Sequence, residues 1–140
     1  MKCAGRSVRR AVLDSGVFVS ALINPNGTPA LLLARAHGAE YEMVTSPLLL
    51  SEVGTVLQRE KFRRYASIEA VTAYLRYIRR LARIAPDPDA PAPISCADPQ
   101  DNYLLALAYA QKAVLVTGDS HLLDIVSGAP ICAPADFLAS

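Results

Sequence analysis

The sequence has no tryptophan, only three cysteines and no long uninterrupted apolar run. Cys3, Cys96 and Cys132 are odd in number and form no CxxC pair, which argues against a disulfide framework and a structural zinc site. No apolar stretch reaches the ~20 residues that span a bilayer, and no long apolar region of a secretory signal precedes the first acid. We therefore expect a cytoplasmic protein with no membrane partner.

The length and composition are those of one globular domain. The chain has 140 residues, of which 52% are hydrophobic and 19% charged, so disorder is not expected. We expect a single domain over residues 1–140, with its core at about residues 8–139.

The small net charge of +1 hides a segregation along the chain. Eight of the fourteen Lys and Arg residues lie between Gln58 and Arg83, whereas the last third is acidic. Within the basic part, Lys61, Arg63 and Arg64 are candidates for contacts with RNA phosphates or a protein partner. A solvated helix face explains the same pattern equally well.

Apolar runs that end in an acid are the main signal for strands. VRRAVLDS and AVLVTGD end in Asp14 and Asp119, and Tyr41–Thr45 and Ala129–Ala133 predict two further strands. Their alternation with helical patterns predicts an α/β fold with a central, mainly parallel sheet flanked by helices. In such sheets ligands bind at the carboxyl ends of the strands, where both acids emerge.

Capping residues followed by proline predict where helices begin. The pairs Thr28–Pro29 and Ser46–Pro47 each offer a cap and a proline at the first helical position, and Ser67 precedes a long amphipathic helix. The segment Pro86–Pro93 is too rich in proline for a helix and predicts a stiff connector. Pro134 is expected to start a terminal helix.

Further acids stand at helix starts. Glu52 lies in the helix that follows Ser46, and Asp98 and Asp101 precede the helical run NYLLALAYA. Distant segments thus aim carboxylates at one sheet edge, and carboxylates are the ligands that Mg²⁺ and Mn²⁺ prefer. Each acid taken alone is equally well explained as a cap, turn or solvated residue, so the spacing leaves both interpretations open.

From Val12 to Leu138 the chain resembles the PIN domain, and within it the toxin-component PIN group related to VapC-like ribonuclease toxins. The stretches that carry this resemblance are VLDSGVFVSALI, SPLLLSEVGTVLQREKFRR, CADPQDNYLLALA and VLVTGDSHLL, in the family's order and separation. The resemblance implies a PIN-like three-layer fold, a Mg²⁺- or Mn²⁺-dependent endoribonuclease acting on RNA, a small antitoxin partner and a homodimer.

The resemblance also implies roles for individual residues. The family's catalytic and metal-binding acids fall on Asp14, Glu52, Asp101 and Asp119. Asp14 and Asp101 are then the main direct ligands, and Asp98 is an accessory acid or cap. Thr117 and Ser15 are accessory candidates, although Thr117 is also an ordinary strand-favouring residue.

Three positions depart from the family's pattern. Gly16 stands where the family usually has asparagine, Ala97 replaces a common arginine, and His121 replaces an acid. The alternative to the enzyme is therefore a catalytically weak or inactive PIN module that binds RNA or a protein partner. Aspartyl phosphotransfer enzymes are disfavoured because DSGVF lacks their second acid, and no P-loop motif exists.

Overall fold

The computed structural model describes residues 9–93, 101–123 and 130–140. In these ranges one sheet contains the strands β1 (Arg10–Leu13), β2 (Glu42–Thr45), β3 (Arg83–Ile84), β4 (Val114–Val116) and β5 (Ile131–Cys132). The helices that flank it are α1 (Ser15–Ile23), α2 (Thr28–His37), α3 (Pro47–Leu57), α4 (Ile68–Leu81), α5 (Asn102–Gln111), α6 (Ser120–Leu123) and α7 (Pro134–Ala139), with a 3₁₀ turn at Glu60–Phe62.

The sheet has the order β3-β2-β1-β4-β5, and every neighbouring pair is parallel. In the central strand, Ala11 pairs with Met43 of β2 on one side and with Val114 of β4 on the other. The chain builds outward from β1 through β2 to β3, and then returns to the other side of β1. This reversal creates a topological switch point between β1 and β4. The predicted α/β class with a mainly parallel sheet is confirmed.

The core covers both faces of the central strand. Ala11, Val12 and Leu13 are all 0% exposed, although successive side chains of a strand point to opposite faces. Helix α5 packs against β1 and β4 and is buried throughout Leu104–Ala108. Helix α1 packs against α2 and α3. This packing therefore fixes the ends of β1 and β4, which Asp14 and Asp119 follow in the chain.

Two helix starts follow the predicted caps, and one does not. Ser46 Oγ accepts a hydrogen bond from the Leu49 N–H, and Ser67 Oγ accepts one from the Ala70 N–H. The prediction that Thr28 caps the second helix is wrong. Its cap is Gly27, whose carbonyl accepts the first helical bond from Leu31, so that Thr28 is already the first helical residue.

Two of the short elements, β3 and α6, were not predicted from the sequence, whereas the predicted last strand is present. Strand β3 has two exposed residues and no apolar run, and α6 has four residues. The second strand begins at Glu42, and the last strand spans only Ile131–Cys132. The connector Pro86–Pro93 has no regular element, as predicted, and Asp87 Oδ2 accepts a hydrogen bond from the Leu48 N–H at 3.0 Å. This contact holds the connector against the start of α3.

Two smaller expectations concern membranes and thiols. None of the described helices is by itself long and apolar enough to cross a membrane; α1 and α2 pass that test only as a pair, bent by 99° at the break between them. Cys132 is a free, half-buried thiol, whereas Cys3 and Cys96 lie outside the described residues.

The two serine caps give a matched test of how burial strengthens a helix cap. Ser46 is fully buried and Ser67 is exposed. We expect Ser46→Ala to lower the free energy of unfolding by about 1–2 kcal/mol, because the Leu49 N–H is left without its acceptor in the interior. Ser67→Ala should cost about 0.5 kcal/mol, since water can replace the hydroxyl. Urea unfolding followed by circular dichroism measures both, and equal losses would contradict this account.

Candidate active site

A cleft of about 440 Å³ opens at the carboxyl ends of β1 and β4. It is lined by Asp14, Ser15, Gly16, Val17, Ser20, Pro29, Asp101, Leu104, Gly118, Asp119 and Pro134. Asp14, Asp101 and Asp119 thus come from three distant segments to one surface. The cleft lies at the switch point of the sheet, where open parallel sheets bind their ligands.

Asp14 is held in place from two directions. Its backbone N–H donates to the Val116 carbonyl at 3.1 Å, which continues the pairing of β1 with β4. Its side chain caps α1, because Oδ1 accepts a hydrogen bond from the Val17 N–H at 2.8 Å. Oδ2 accepts a hydrogen bond from the hydroxyl of Thr117. Both oxygens of a carboxylate that is only 7% exposed are therefore fixed in direction.

Thr117 connects two of the acids. It is fully buried just after β4, and its hydroxyl donates to Asp14 while accepting a hydrogen bond from the Asp119 N–H at 3.0 Å. Asp119 in turn starts α6, since its carbonyl accepts the N–H groups of Leu122 and Leu123. The threonine therefore fixes the turn that carries Asp119 relative to Asp14, a role beyond that of a strand-favouring residue.

The buried position makes the charge of Asp14 costly. Burial raises the pKa of its carboxyl above the ordinary 3.8; the hydrogen bonds from Thr117 and Val17 lower it, and the neighbouring charges of Asp119 and Glu52 raise it. The free-energy cost of this buried charge is offset when the carboxylate binds a proton or a cation. The cleft therefore favours positively charged groups beside Asp14.

Asp101 and Asp98 differ in what the structure describes. Asp101 is the residue that precedes α5, and it lines the cleft. Asp98 and Ala97 lie outside the described residues, as does the side chain of His121. Asp101 is thus the acid that the described α5 segment brings to the cleft.

Glu52 does not line the cleft but contacts Ser15, which does. Its Oε2 accepts a hydrogen bond from the Ser15 hydroxyl at 2.6 Å, and its Oε1 accepts one from the Tyr103 hydroxyl at 2.5 Å. Burial, together with the bond to Glu52, raises the pKa of the Tyr103 phenol, so Tyr103 stays protonated and acts as the donor. Sequence analysis missed Tyr103, whose position two residues after Asp101 was its only signal.

The predicted basic residues lie away from the cleft and differ among themselves. Lys61 and Arg64 are exposed, and their charged groups lie 5.2 Å from the ring centroids of Phe62 and Tyr65, respectively. Arg63 turns inward instead and donates to the Leu57 carbonyl at the end of α3. Its Nε and Nη1 atoms are buried, so Arg63 supports the helix end, and of these three residues only Lys61 and Arg64 are exposed.

The chemistry of the cleft suits a hydrated hard cation. Among the described residues, no three acids, histidines or cysteines stand close enough together to hold a metal ion by themselves. Mg²⁺ commonly binds through one or two carboxylates and keeps several waters, so a site for it does not require a cluster of three such side chains. The acids that line the cleft offer only oxygen atoms as cation ligands. Because Asp14 is buried, a nearby positive charge would stabilise its charged form.

The chain is similar in sequence to known proteins. The family model described as PIN domain matches residues 10–121. The chain is 32% identical over 116 residues to the uncharacterized protein MJ1680 of Methanocaldococcus jannaschii, and the alignment covers 83% of this chain and 74% of that protein.

Two solved structures share the fold. PAE2754 from Pyrobaculum aerophilum superposes with a TM-score of 0.64 at 18% identity, covering 94% of this chain and 88% of that one. VapBC2 from Rickettsia felis, bound to a DNA fragment from its promoter, gives a TM-score of 0.63 at 12% identity, covering 89% and 98%. The PIN-like three-layer arrangement is thereby confirmed.

The raised pKa of Asp14 predicts a stability change with a definite sign. Without divalent cations, the folded state holds the Asp14 proton more tightly than the unfolded chain, so the free energy of unfolding falls as pH rises from about 3.8 through the folded pKa. Asp14→Asn removes this charge and keeps an oxygen for the cap. We expect this variant to melt at a higher temperature than wild type at neutral pH in EDTA.

The advantage should vanish below pH 3.8, where Asp14 is protonated in both states. Asp14→Ala serves as the control, because it also removes the cap acceptor and should be less stable than Asp14→Asn by about 1 kcal/mol. Thermal melts across the pH range decide the point, and a constant difference between wild type and Asp14→Asn at every pH would refute it.

Proposed function

The chain belongs to the PIN-domain family, whose members are generally nucleases, and we propose that it is a metal-dependent endoribonuclease. One observation carries this proposal: Asp14, Asp101 and Asp119 line a single cleft at the switch point of a parallel sheet. The carboxylates of Asp119 and Glu52 act unfavourably on a charged Asp14. A bound cation would offset this repulsion between the acids. We further propose that one domain extends over residues 1–140.

The cleft residues have distinct tasks in this reaction. Asp14 and Asp101 would hold Mg²⁺ or Mn²⁺ directly, and Asp119 would complete the set directly or through waters. Glu52, which does not line the cleft, would contribute only through waters or through Ser15 and Tyr103. When bound, such a cation activates the attacking water and neutralises charge on the phosphodiester. The capped and hydrogen-bonded oxygens of Asp14 each retain a lone pair for this purpose. Their fixed directions remove the need to order the ligand during each turnover.

The proposed partners follow from the same surface. Exposed Lys61 and Arg64 would add salt-dependent contacts to the RNA backbone. The structural likeness to VapBC2 supports a role as the toxin of a toxin-antitoxin pair, with a small antitoxin that blocks the cleft. We also propose a cytoplasmic homodimer, in keeping with the resemblance to VapC-like toxins.

Cleavage of RNA tests the proposal directly. We expect purified protein to fragment mixed structured RNAs with Mn²⁺ or Mg²⁺ and to be inactive in EDTA. Asp14→Asn should lower the rate by about 100-fold, because it removes a charged ligand from the cleft. Asp89→Asn makes the same change at an exposed site outside the cleft and should cleave like wild type.

The readout is the appearance of fragments on a denaturing gel over time. Cleavage that persists in EDTA, or that is equally strong in Asp14→Asn, would rule out the assigned site. Folded wild-type protein that never cleaves with any metal would favour the alternative function, a PIN module that binds without cutting.

One observation favours that alternative. Gly16 lines the cleft without a side chain, and a Cβ built there would lie 3.4 Å from Oδ1 of Asp14. An amide at this position would thus stand beside the central acid, where its N–H could support the carboxylate. The lack of that amide is consistent with slow catalysis or with binding alone.

Restoring the amide separates slow catalysis from its absence. The helical backbone at Gly16 accepts a side chain, and 3.4 Å from a carboxylate oxygen is an ordinary contact. We expect Gly16→Asn to raise the rate of RNA cleavage by about tenfold, since it adds a hydrogen bond to a charged group. Gly16→Ala fills the same space without an amide and should leave the rate near that of wild type. A rise of equal size in both variants would indicate helix stabilisation instead.

A further inference from the structure

Glu52 joins the two helix starts that carry Asp14 and Asp101. Ser15 directly follows Asp14 at the start of α1, and Tyr103 lies two residues after Asp101 in the first turn of α5. The hydroxyls of both residues donate to Glu52 on α3, one to each carboxylate oxygen. The carboxylate therefore forms a bridge across three helices.

The bridge consists of strong, directional contacts. Each contact joins a hydroxyl donor to a carboxylate oxygen, the pairing in which an ionised acceptor strengthens a hydrogen bond. Such bonds are about twice as strong as those between neutral groups. Glu52 is half-buried and does not line the cleft, whereas Ser15 does. Its described contacts thus point to the helix starts rather than to the open cleft.

We propose that Tyr103 is a positioning residue, whose hydroxyl holds Glu52 so that α1 and α5 keep Asp14 and Asp101 at the spacing that a shared cation requires. This inference rests on the proposed function and adds a residue that acts through Glu52 without touching substrate. Ser15 supplies the other half of the same bridge.

A purely structural tyrosine would behave differently. If only the ring of Tyr103 mattered, phenylalanine would replace it without loss. Tyr74 provides the comparison, because it is also half-buried and its hydroxyl donates to the Phe18 carbonyl at 2.6 Å. That bond joins α4 to α1 without involving an acid. The two tyrosines therefore differ mainly in whether the hydroxyl reaches a carboxylate.

The experiment compares Tyr103→Phe with Tyr74→Phe in the full chain. We expect Tyr103→Phe to weaken Mn²⁺ binding to the RNA-free protein about tenfold, measured by calorimetry, and to lower kcat about tenfold with KM unchanged. Tyr74→Phe should leave both quantities at their wild-type values. Glu52→Ala should weaken Mn²⁺ binding at least as much, and adding Tyr103→Phe to it should cause no further loss.

Each outcome is decisive for Tyr103. Equal behaviour of the two phenylalanine variants would overturn the proposal, as would independent losses from Tyr103→Phe and Glu52→Ala. If Glu52→Ala does not fold, the two phenylalanine variants still decide. A wild-type protein that binds Mn²⁺ but cuts no RNA would refute the nuclease while leaving the Mn²⁺ comparison intact. Failure of wild type to bind Mn²⁺ would overturn both.

Discussion

The hydrogen bond from the buried hydroxyl of Thr117 to Asp14 ties together the parts of the site that the sheet brings near one another. Parallel pairing of β1 with β4 places the ends of these strands side by side, but pairing alone fixes only the backbone. The threonine converts that register into a defined direction for one carboxylate, and through the Asp119 N–H it also fixes the next turn. A loss of register by one residue would send Thr117 to the opposite face of the sheet and disconnect both acids.

This arrangement opposes stability to function. A carboxylate buried between strand ends, with Asp119 and Glu52 nearby, costs free energy that the hydrophobic core around β1 must offset. Val12 of β1 and Leu105 of α5 are fully buried in the elements that carry Asp14 and follow Asp101, and close packing of such residues limits how far these elements can shift. Carboxyl groups whose pKa is raised by burial are concentrated at functional sites, where a proton or a cation can offset the cost of the buried charge.

Sequence reasoning succeeded where the determining physics is local. The apolar runs that end in Asp14 and Asp119, and the caps at Ser46 and Ser67, involve neighbouring residues, so the pattern contains the information. It failed where a partner distant in sequence decides the outcome. Strand β3 exists because Val44 pairs with Arg83, and Arg63 turns inward because the Leu57 carbonyl ends a helix beside it. The grouping of Asp14, Asp101 and Asp119 around one cleft could be predicted from the topology of the sheet. The hydrogen bonds that occupy both carboxylate oxygens of Glu52 could not.

The division between fold and function has the same origin. Solved structures at 12–18% identity share the fold of this chain, because many apolar residues can fill a parallel sheet and its helices. A carboxylate site is less tolerant, since each oxygen needs a donor or a cation in a defined direction. In this chain Gly16 places no side chain beside Asp14, while the hydroxyls of Ser15 and Tyr103 both donate to Glu52. Under the proposed function, the activity of the domain would therefore depend on the few hydrogen bonds around its acids, and family membership alone does not fix it.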